Sequence, residues 1–499
     1  MTPIDLGIVA VYVVGCTALG AWLGRSTASQ GLQGYFLGAR AAPTWAIMLS
    51  IVATETSTVT FLSLPGASYK EGGDLRYLQL TIGYVLGRFL VAGVLLPSYF
   101  RGEMYSAYEV LGRRFGGSVK TVASLMFLTM RSLGDGLRLA LTAQVIHLLT
   151  GLDMTASILV MGGATILYTY LGGMTAVIWT DVIQFAVYIL GAILSLAILT
   201  QALGGFEAVT LAEPDKFRVV HLNFAWNDPF NLWAGIVGGM VLSMATHGTD
   251  QLMVQRYLAA RGPRQAAAAL IASGFVVAGQ FALFLIIGVA LAAYFASDPA
   301  LAATAPVRAD AAFATFLTSS AMPTGLRGII VAALIAAAMS TLSSSLTASS
   351  ASTVSDLILP CLRPEARHSP AILRLSMALT VMWGLVQMGI GWACVDLRSQ
   401  AIDNVLAIAS LGAGLILGLF LLGTFVPPAG PRAALTGLLT GAAAVLGAKF
   451  GIDLAFPWFA PLGAGTVFLI GGLLAGPGGS PTTMNAETNP DATTSNPSI

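Results

Sequence analysis

The chain has 499 residues, 56% of them hydrophobic and 9% charged, against about 25% charged in soluble proteins. That balance excludes an ordinary soluble fold, and 24 basic against 23 acidic residues leave no cationic excess to grip a phosphate backbone, so no nucleic-acid partner is expected. Apolar stretches long enough for a hydrocarbon core of about 30 Å recur along the chain, which reads as an all-α polytopic membrane protein in a lipid bilayer. In chain order, runs bounded by Pro, Gly or charge predict helices near 4–24, 43–63, 77–99, 118–148, 153–171, 177–200 and 231–256, then 266–295, 326–357, 370–394, 402–424, 433–448 and 455–475. These are thirteen spans in one transmembrane domain, 1–475; the polar stretch 476–499 is expected to be a disordered cytoplasmic tail. The first helix opens on Asp5 with no basic segment before it, so it reads as a retained span and not as a cleaved signal. Cys16, Cys361 and Cys394 are scattered singly, which gives no disulfide framework and no metal spacing.

With the N-terminus outside, the inner loops hold Arg25, Arg40, Arg101, Arg113, Arg114, Lys120, Arg256, Arg261, Arg264, Arg363, Arg367, Arg374 and Arg432. The outer side holds Lys70, Arg76, Lys216, Arg218, Arg308, Arg327, Arg398 and Lys449. The excess of thirteen over eight predicts a multi-pass protein of the cell membrane, N-terminus outside and C-terminus in the cytoplasm.

Polarity at membrane depth is costly, so the helices that break their apolar pattern carry the information. The second helix contains Ala53-Thr54-Glu55-Thr56-Ser57-Thr58-Val59-Thr60, and the seventh contains Ser243-Met244-Ala245-Thr246-His247-Gly248-Thr249-Asp250-Gln251. Both predict locally unwound helices whose freed carbonyls face a cavity. Each begins a block of five helices, about 43–200 and 231–424, and broken segments at matching places in two halves point to an inverted-repeat transporter. In the ninth helix, Ala337-Ala338-Met339-Ser340-Thr341-Leu342-Ser343-Ser344-Ser345 brings hydroxyls onto one face. Those hydroxyls, with carbonyls freed near Ala53 and Thr56, suit a hard monovalent cation; a packing surface of small residues is the plainer reading of a Ser-rich helix alone. Asp181 in the sixth helix is a candidate ion ligand or proton relay, or a carboxylate snorkelling at a helix end.

Seven charges lie at or near membrane depth: Glu55, Arg88, Arg131, Asp135, Arg138, Asp181 and Asp250. Arg131 stands one helical step of four before Asp135, so one division has Arg131 paired with Asp135 or Glu55 and Arg138 facing solute. Arg88 could neutralise Glu55, and internal ion pairs throughout are the competing reading. His247 reads as a packing or hydrogen-bonding residue.

The string Gly172-Gly173-Met174-Thr175-Ala176-Val177-Ile178-Trp179-Thr180-Asp181-Val182-Ile183-Gln184, the Ala337 to Thr341 stretch and Gln255-Arg256-Tyr257 together resemble the sodium:solute symporter family, from Tyr35-Phe36-Leu37-Gly38 to the last helix. The resemblance implies a five-plus-five inverted-repeat, LeuT-like core, with one leading and two trailing helices, that works by alternating access with sodium as coupling ion. It implies a main sodium site on the carbonyls of Ala53, Thr56 and Ala337 and the hydroxyls of Ser340 and Thr341, the last a Ser in many members. A second sodium site, present in some members, would use Asp181, Ser340, Ser343 and Ser344. Thr60 and Thr246 stand where the galactose carrier has Gln and Tyr, which argues against a galactose pocket. Ser57, Thr60 and Gln79 resemble the polar set that holds the carboxylate in sialic acid carriers, with Arg131 or Arg138 as the basic partner and Ser243 and Thr246 completing the candidate solute site.

The expected function is sodium-coupled symport of a small polar organic solute, an organic acid such as a sialic acid or a sugar; a proline-like amino acid, a vitamin and a monocarboxylate are the alternatives. No obligate protein partner is expected. An intramembrane enzyme would need a constellation such as His-Glu-x-x-His, absent among the four His. A sensor would need a signalling domain, and a channel a repeated filter. Sodium is expected to bind first and to bridge the second and ninth helices, closing the broken segments around the solute site.

Overall fold

A computed structural model of the chain describes residues 1–24, 31–319, 321–363, 365, 367, 369–395 and 399–475, with the helical backbone alone for 399–410. Arg25, Arg398 and the expected tail at 476–499 lie outside the described residues. Fourteen helices carry the architecture: α1 (Pro3–Gly24), α2 (Thr44–Glu55), α3 (Thr58–Tyr69), α4 (Leu78–Leu90), α5 (Gly117–Thr150), α6 (Met154–Ala202), α7 (Gly239–Thr249), α8 (Gln251–Leu258), α9 (Pro263–Ala296), α10 (Leu326–Ser352), α11 (Pro370–Ala393), α12 (Ser399–Phe425), α13 (Pro431–Gly451) and α14 (Phe459–Leu473). There is no strand among the described residues. Among the described residues, eight helical runs are long and apolar enough to cross a membrane, or nine if the bent pair Gly31–Arg40 and Thr44–Glu55 is one span.

Local causes account for four of the five spans by which the count of eight falls short of thirteen; the fifth, expected at 402–424, is α12, part of whose side chains lie outside the described residues. The second and seventh expected spans are each two shorter helices. α5 has 34 residues but carries Lys120, Arg131, Asp135 and Arg138. The helices expected at 153–171 and 177–200 are the two arms of α6, parted by a kink at Gly173 (φ 52°, ψ −150°) and counted together as one run above. That backbone conformation is open essentially to glycine alone, and a Cβ there would lie 2.5 Å from the Tyr35 carbonyl oxygen.

Both interruptions arise from residues that compete with the helical ladder. Hydroxyl side chains bond nearby backbone groups and so offer the chain an alternative to helix. At the first break Thr56 (φ −91°, ψ 102°) and Ser57 (φ −92°, ψ 167°) are extended, and the Ser57 hydroxyl caps α3 by accepting from the Thr60 N–H at 3.3 Å. At the second, Asp250 (φ −78°, ψ 122°) separates α7 from α8 and its carboxylate caps α8 through the Leu252 N–H at 2.9 Å. The centre of the molecule is α10, buried almost throughout from Ile330 to Ser352 and packed against α1, α2, α5, α6 and α11. Its Ala and Ser residues let these backbones approach closely, as small residues do between membrane helices.

Candidate functional site

The first break faces α10. Thr341 Oγ1 donates toward the Thr54 carbonyl at 3.4 Å and lies 3.3 Å from the Ala337 carbonyl, and the Thr58 hydroxyl donates to Leu334 at 2.9 Å. Thr56 Oγ1 donates to Val52 O at 3.0 Å and accepts from Gln280 Nε2 at 2.6 Å. Ala53, Thr56, Ala337, Ser340 and Thr341, read from the sequence as a main sodium site, thus lie on two facing segments and are all buried. An extended pair of residues beside a hydroxyl-bearing helix is chemically what a hard monovalent cation takes: neutral oxygens from carbonyls and hydroxyls.

Asp181 lies beside this break, fully buried, and it does not snorkel. Its Oδ2 accepts from Ser50 Oγ at 2.5 Å, Thr54 Oγ1 at 3.3 Å and Arg256 Nη2 at 3.0 Å, while Oδ1 accepts from Ser340 Oγ at 2.7 Å. Arg256 also bonds Ser50 through Nε at 2.9 Å and bonds the Ser344 hydroxyl. Arg256, placed in an inner loop by its position at a helix end, is instead fully buried as the counter-ion of Asp181. Of the four residues expected to form a second sodium site, Asp181, Ser340 and Ser344 come together; the Ser343 hydroxyl turns to the Ser340 carbonyl at 3.1 Å. Ser50, Thr54 and Arg256 belong to this cluster and had no role in the sequence-based site. Their spacing carried the signal: Ser50 and Thr54 lie four apart on one helical face, toward Asp181.

A cavity of about 220 Å³ opens between the two breaks, lined among others by Glu55, Ser57, Thr60, Arg138, Ser243 and Thr246. A neighbouring cavity of about 170 Å³ shares Arg131, Arg138, Thr246 and Asp250 with it and is otherwise largely apolar, with Phe127, Met130 and Ile416. Six of the seven residues proposed from the sequence to touch solute line the first cavity. Gln79 does not. It is fully buried, with Nε2 donating to the Phe230 carbonyl at 2.5 Å and Oε1 accepting from the His221 N–H at 3.0 Å. Both ends of the amide tie the loop before α7 to α4.

The cavity charges are paired unequally. Arg88 holds Glu55 Oε2 at 2.5 Å and is itself supported by Ser273 at 2.8 Å, with His247 Nε2 3.0 Å from Arg88 and 3.5 Å from Glu55. His247 thus acts as a hydrogen-bonding residue of this network. Arg131 bridges Asp250 at 2.7 Å and Asp135 at 3.3 Å with its side chain 15% exposed, so it links α5 to the second break. Arg138 makes one ion pair, to Asp135 at 2.7 Å, and its side chain is 38% exposed. Arg131 therefore reads as a strut and Arg138 as the cation presented to the cavity. Asp250, which caps α8 and receives Arg131, was legible only as a charge at membrane depth.

The profile of the Sodium:solute symporter family matches residues 35–441. Human sodium/iodide cotransporter is 29% identical over 463 residues, 90% of this chain and 70% of that protein. The sodium/sialic acid symporter SiaT of Proteus mirabilis is 28% identical over 452 residues, covering 88% of this chain and 89% of its own. Among solved structures, a substrate-bound, outward-open Na+-coupled sialic acid symporter superposes with a TM-score of 0.85 at 27% identity, over 95% of this chain and 98% of that one. A nucleobase-cation-symport-1 transporter, Mhp1, shares the fold at a TM-score of 0.54 and 12% identity. Broken helices facing a buried hydroxyl set, a polar central cavity and a family match over most of the length agree: this chain is a sodium-coupled transporter of the sodium:solute symporter family.

Proposed function

We propose that the solute carried with sodium is a small organic acid bearing hydroxyl or amino groups. The observation that carries this reading is Arg138, half-engaged and exposed to the cavity, beside Ser57 and Thr58 at the N-terminus of α3. A guanidinium with N–H groups to spare and the positive end of a half-helix both favour a carboxylate. At another wall Glu55 gives Oε2 to Arg88, and its second oxygen has no ion-pair partner among the described residues. An ionised carboxylate only accepts hydrogen bonds, so it favours a solute that brings donors. The sialic acids carried by relatives fit this description; a bare halide and a simple monocarboxylate lack the donors.

Sodium in this proposal binds first at Ala53, Thr56, Ala337, Ser340 and Thr341, and so joins the break between α2 and α3 to α10. A second sodium at Asp181, Ser340, Ser343 and Ser344 must share the carboxylate with Arg256, and Oδ1, held by Ser340 alone, is the oxygen open to it. The broken helices support a five-plus-five repeat with thirteen spans in a single domain at the plasma membrane. The N-terminus is placed outside; without Arg256 the basic residues still favour that orientation by twelve to eight.

The test is uptake and thermal stabilisation in sodium against a panel: N-acetylneuraminate, lactate, an amino acid, a neutral sugar and iodide. A ligand of the folded state raises its stability. The expected outcome is sodium-dependent stabilisation by a hydroxyl- or amino-bearing acid, weakened at least tenfold by Arg138→Ala. A neutral sugar that is taken up equally well by Arg138→Ala overturns the carboxylate reading. Uptake undiminished in Ser340→Ala/Thr341→Ala overturns the main sodium site.

A further inference from the structure

Four carboxylates within the helical bundle, those of Glu55, Asp135, Asp181 and Asp250, have an arginine within 4 Å. Asp5 is held by backbone N–H groups of Thr2, Gly325 and Gly328. Asp356 has neither kind of support. It is 2% exposed, and no Lys, Arg or His lies in ion-pair contact with it among the described residues. Its Oδ2 accepts from Ser106 at 2.7 Å and Ser352 at 2.8 Å, and Ser352 pairs with Ser124 at 2.7 Å; Oδ1 has no partner.

A buried carboxylate without a counter-ion must take a proton or bind a cation, and one inside a membrane bundle marks an ion or proton path. Asp356 lies on a π-helical turn, Thr353–Ile358, that continues α10, a distortion found often at functional sites. Thr341, Ser345, Ser349, Ser352 and Asp356 follow steps of three and four, so they share one face of this helix. Fifteen residues separate Thr341 from Asp356, about 22 Å along the axis. Ser349, on that face, is fully buried and its hydroxyl is a second oxygen without a partner. Beyond Asp356, Ser355 bonds Glu109 at 2.6 Å, and both line a polar cavity of about 880 Å³ with Lys120 and Arg367.

We propose that Asp356, with the hydroxyls of Ser106 and Ser352, is a sodium site of its own, a station between the ion site at the helix break and the large polar cavity. Carboxylate and hydroxyl oxygens are the donors a hard monovalent cation takes. The proposal rests on the reading of Ser340 and Thr341 as the main sodium site, and the test separates the two.

The experiment is equilibrium binding of ²²Na⁺ to the purified full chain in detergent, with no solute added. Asp356→Asn, the isostere of the protonated acid, is expected to bind one sodium fewer per protein than the native chain, with an unchanged thermal midpoint, and Asp356→Glu to restore it. Ser340→Ala/Thr341→Ala is expected to lose a different sodium, so that the combined variant loses both. Should Asp356→Asn fail to fold, Ser352→Ala serves instead, with at least tenfold weaker binding of that one ion. Native stoichiometry and affinity in Asp356→Asn, or in Ser352→Ala where that variant replaces it, overturn the proposal, because the carboxyl then holds a proton. Unchanged binding in Ser340→Ala/Thr341→Ala refutes the main site alone.

Discussion

The Asp181–Arg256 pair offers the sharpest quantitative test, because both side chains are fully buried. Replacing Arg256 with Met keeps much of the side-chain volume and leaves Asp181 with three hydroxyl donors and no cation. Removing one partner of a buried pair destabilises by about 3–5 kcal/mol, whereas removing both is often near neutral. Asp181→Asn is expected to cost a similar amount, since the guanidinium then keeps only Ser50, Ser344 and the Leu252 carbonyl. The double variant is expected to lie within about 1–2 kcal/mol of the native chain, for a coupling energy of roughly 3 kcal/mol or more. Reversible unfolding in mixed micelles, with and without sodium, measures all four corners. Sodium should rescue Arg256→Met specifically: an ion that replaces the guanidinium adds about 2.7 kcal/mol at a hundred times its dissociation constant. Additive single-variant costs, or an Arg256→Met protein indifferent to sodium, refute the view that Arg256 and a second cation share the Asp181 carboxylate.

Three further outcomes follow from the geometry. Gly173→Ala places a side chain 2.5 Å from the Tyr35 carbonyl at a positive φ; expected is a loss of roughly 2 kcal/mol or more, read as a lowered thermal midpoint, and native stability refutes the bend. Gln79→Met should lower stability by about 1–3 kcal/mol through two orphaned backbone groups while leaving solute affinity in titration calorimetry unchanged; a tenfold affinity loss returns Gln79 to the solute site. Asp74, outside the spans, has its carboxyl held below the usual range: burial pushes it up, but hydrogen bonds from Arg76 and the charges of Arg76 and His221 prevail. A depressed carboxylate stabilises the fold above its unfolded pKa of about 3.9 and loses that contribution as pH falls through the lower folded value. Asp74→Asn is therefore expected to flatten the stability profile below about pH 4, and an unchanged acid limb contradicts the assignment.

The two helix breaks were legible in the sequence because each needs a physical cause that single residues advertise. A run of Thr, Glu and Ser within an apolar span is costly there unless its groups find partners, and Thr54, Thr56 and Thr58 all do, on α6, α9 and α10. The cavity residues on these breaks were legible for the same reason. Arg256 was not, because a basic residue at the end of an apolar stretch satisfies the positive-inside rule as well as any loop residue; only its distance from Asp181, 75 positions away in the chain, shows otherwise. The partners of Gln79, the Phe230 carbonyl and the His221 N–H, were not legible, because a buried amide has the same letter whether it meets a solute or a carbonyl. The two spans expected on either side of Gly173 are the two arms of α6, and the backbone angles of that one glycine part them.

The second broken helix divides into parts with different attachments. All eight residues of α8 are buried. Gln251 is fastened to the Tyr105 carbonyl and the Ala107 N–H, Gln255 to the Phe36 carbonyl and Arg256 to Asp181. α7 runs along the cavity wall with Ser243, Thr246 and His247 and is held by Ser243 to the Tyr84 carbonyl and by His247 to Arg88. An unwound residue between a fastened segment and a cavity-facing one is a joint, and Asp250 is both that joint and the anchor of Arg131. A solute that draws on the neighbouring Arg138 competes for Asp135, and so tugs on the same string of charges that sets the angle of the joint. Occupancy of the cavity is thereby linked, through Asp135, Arg131 and Asp250, to the residue that joins α7 to α8.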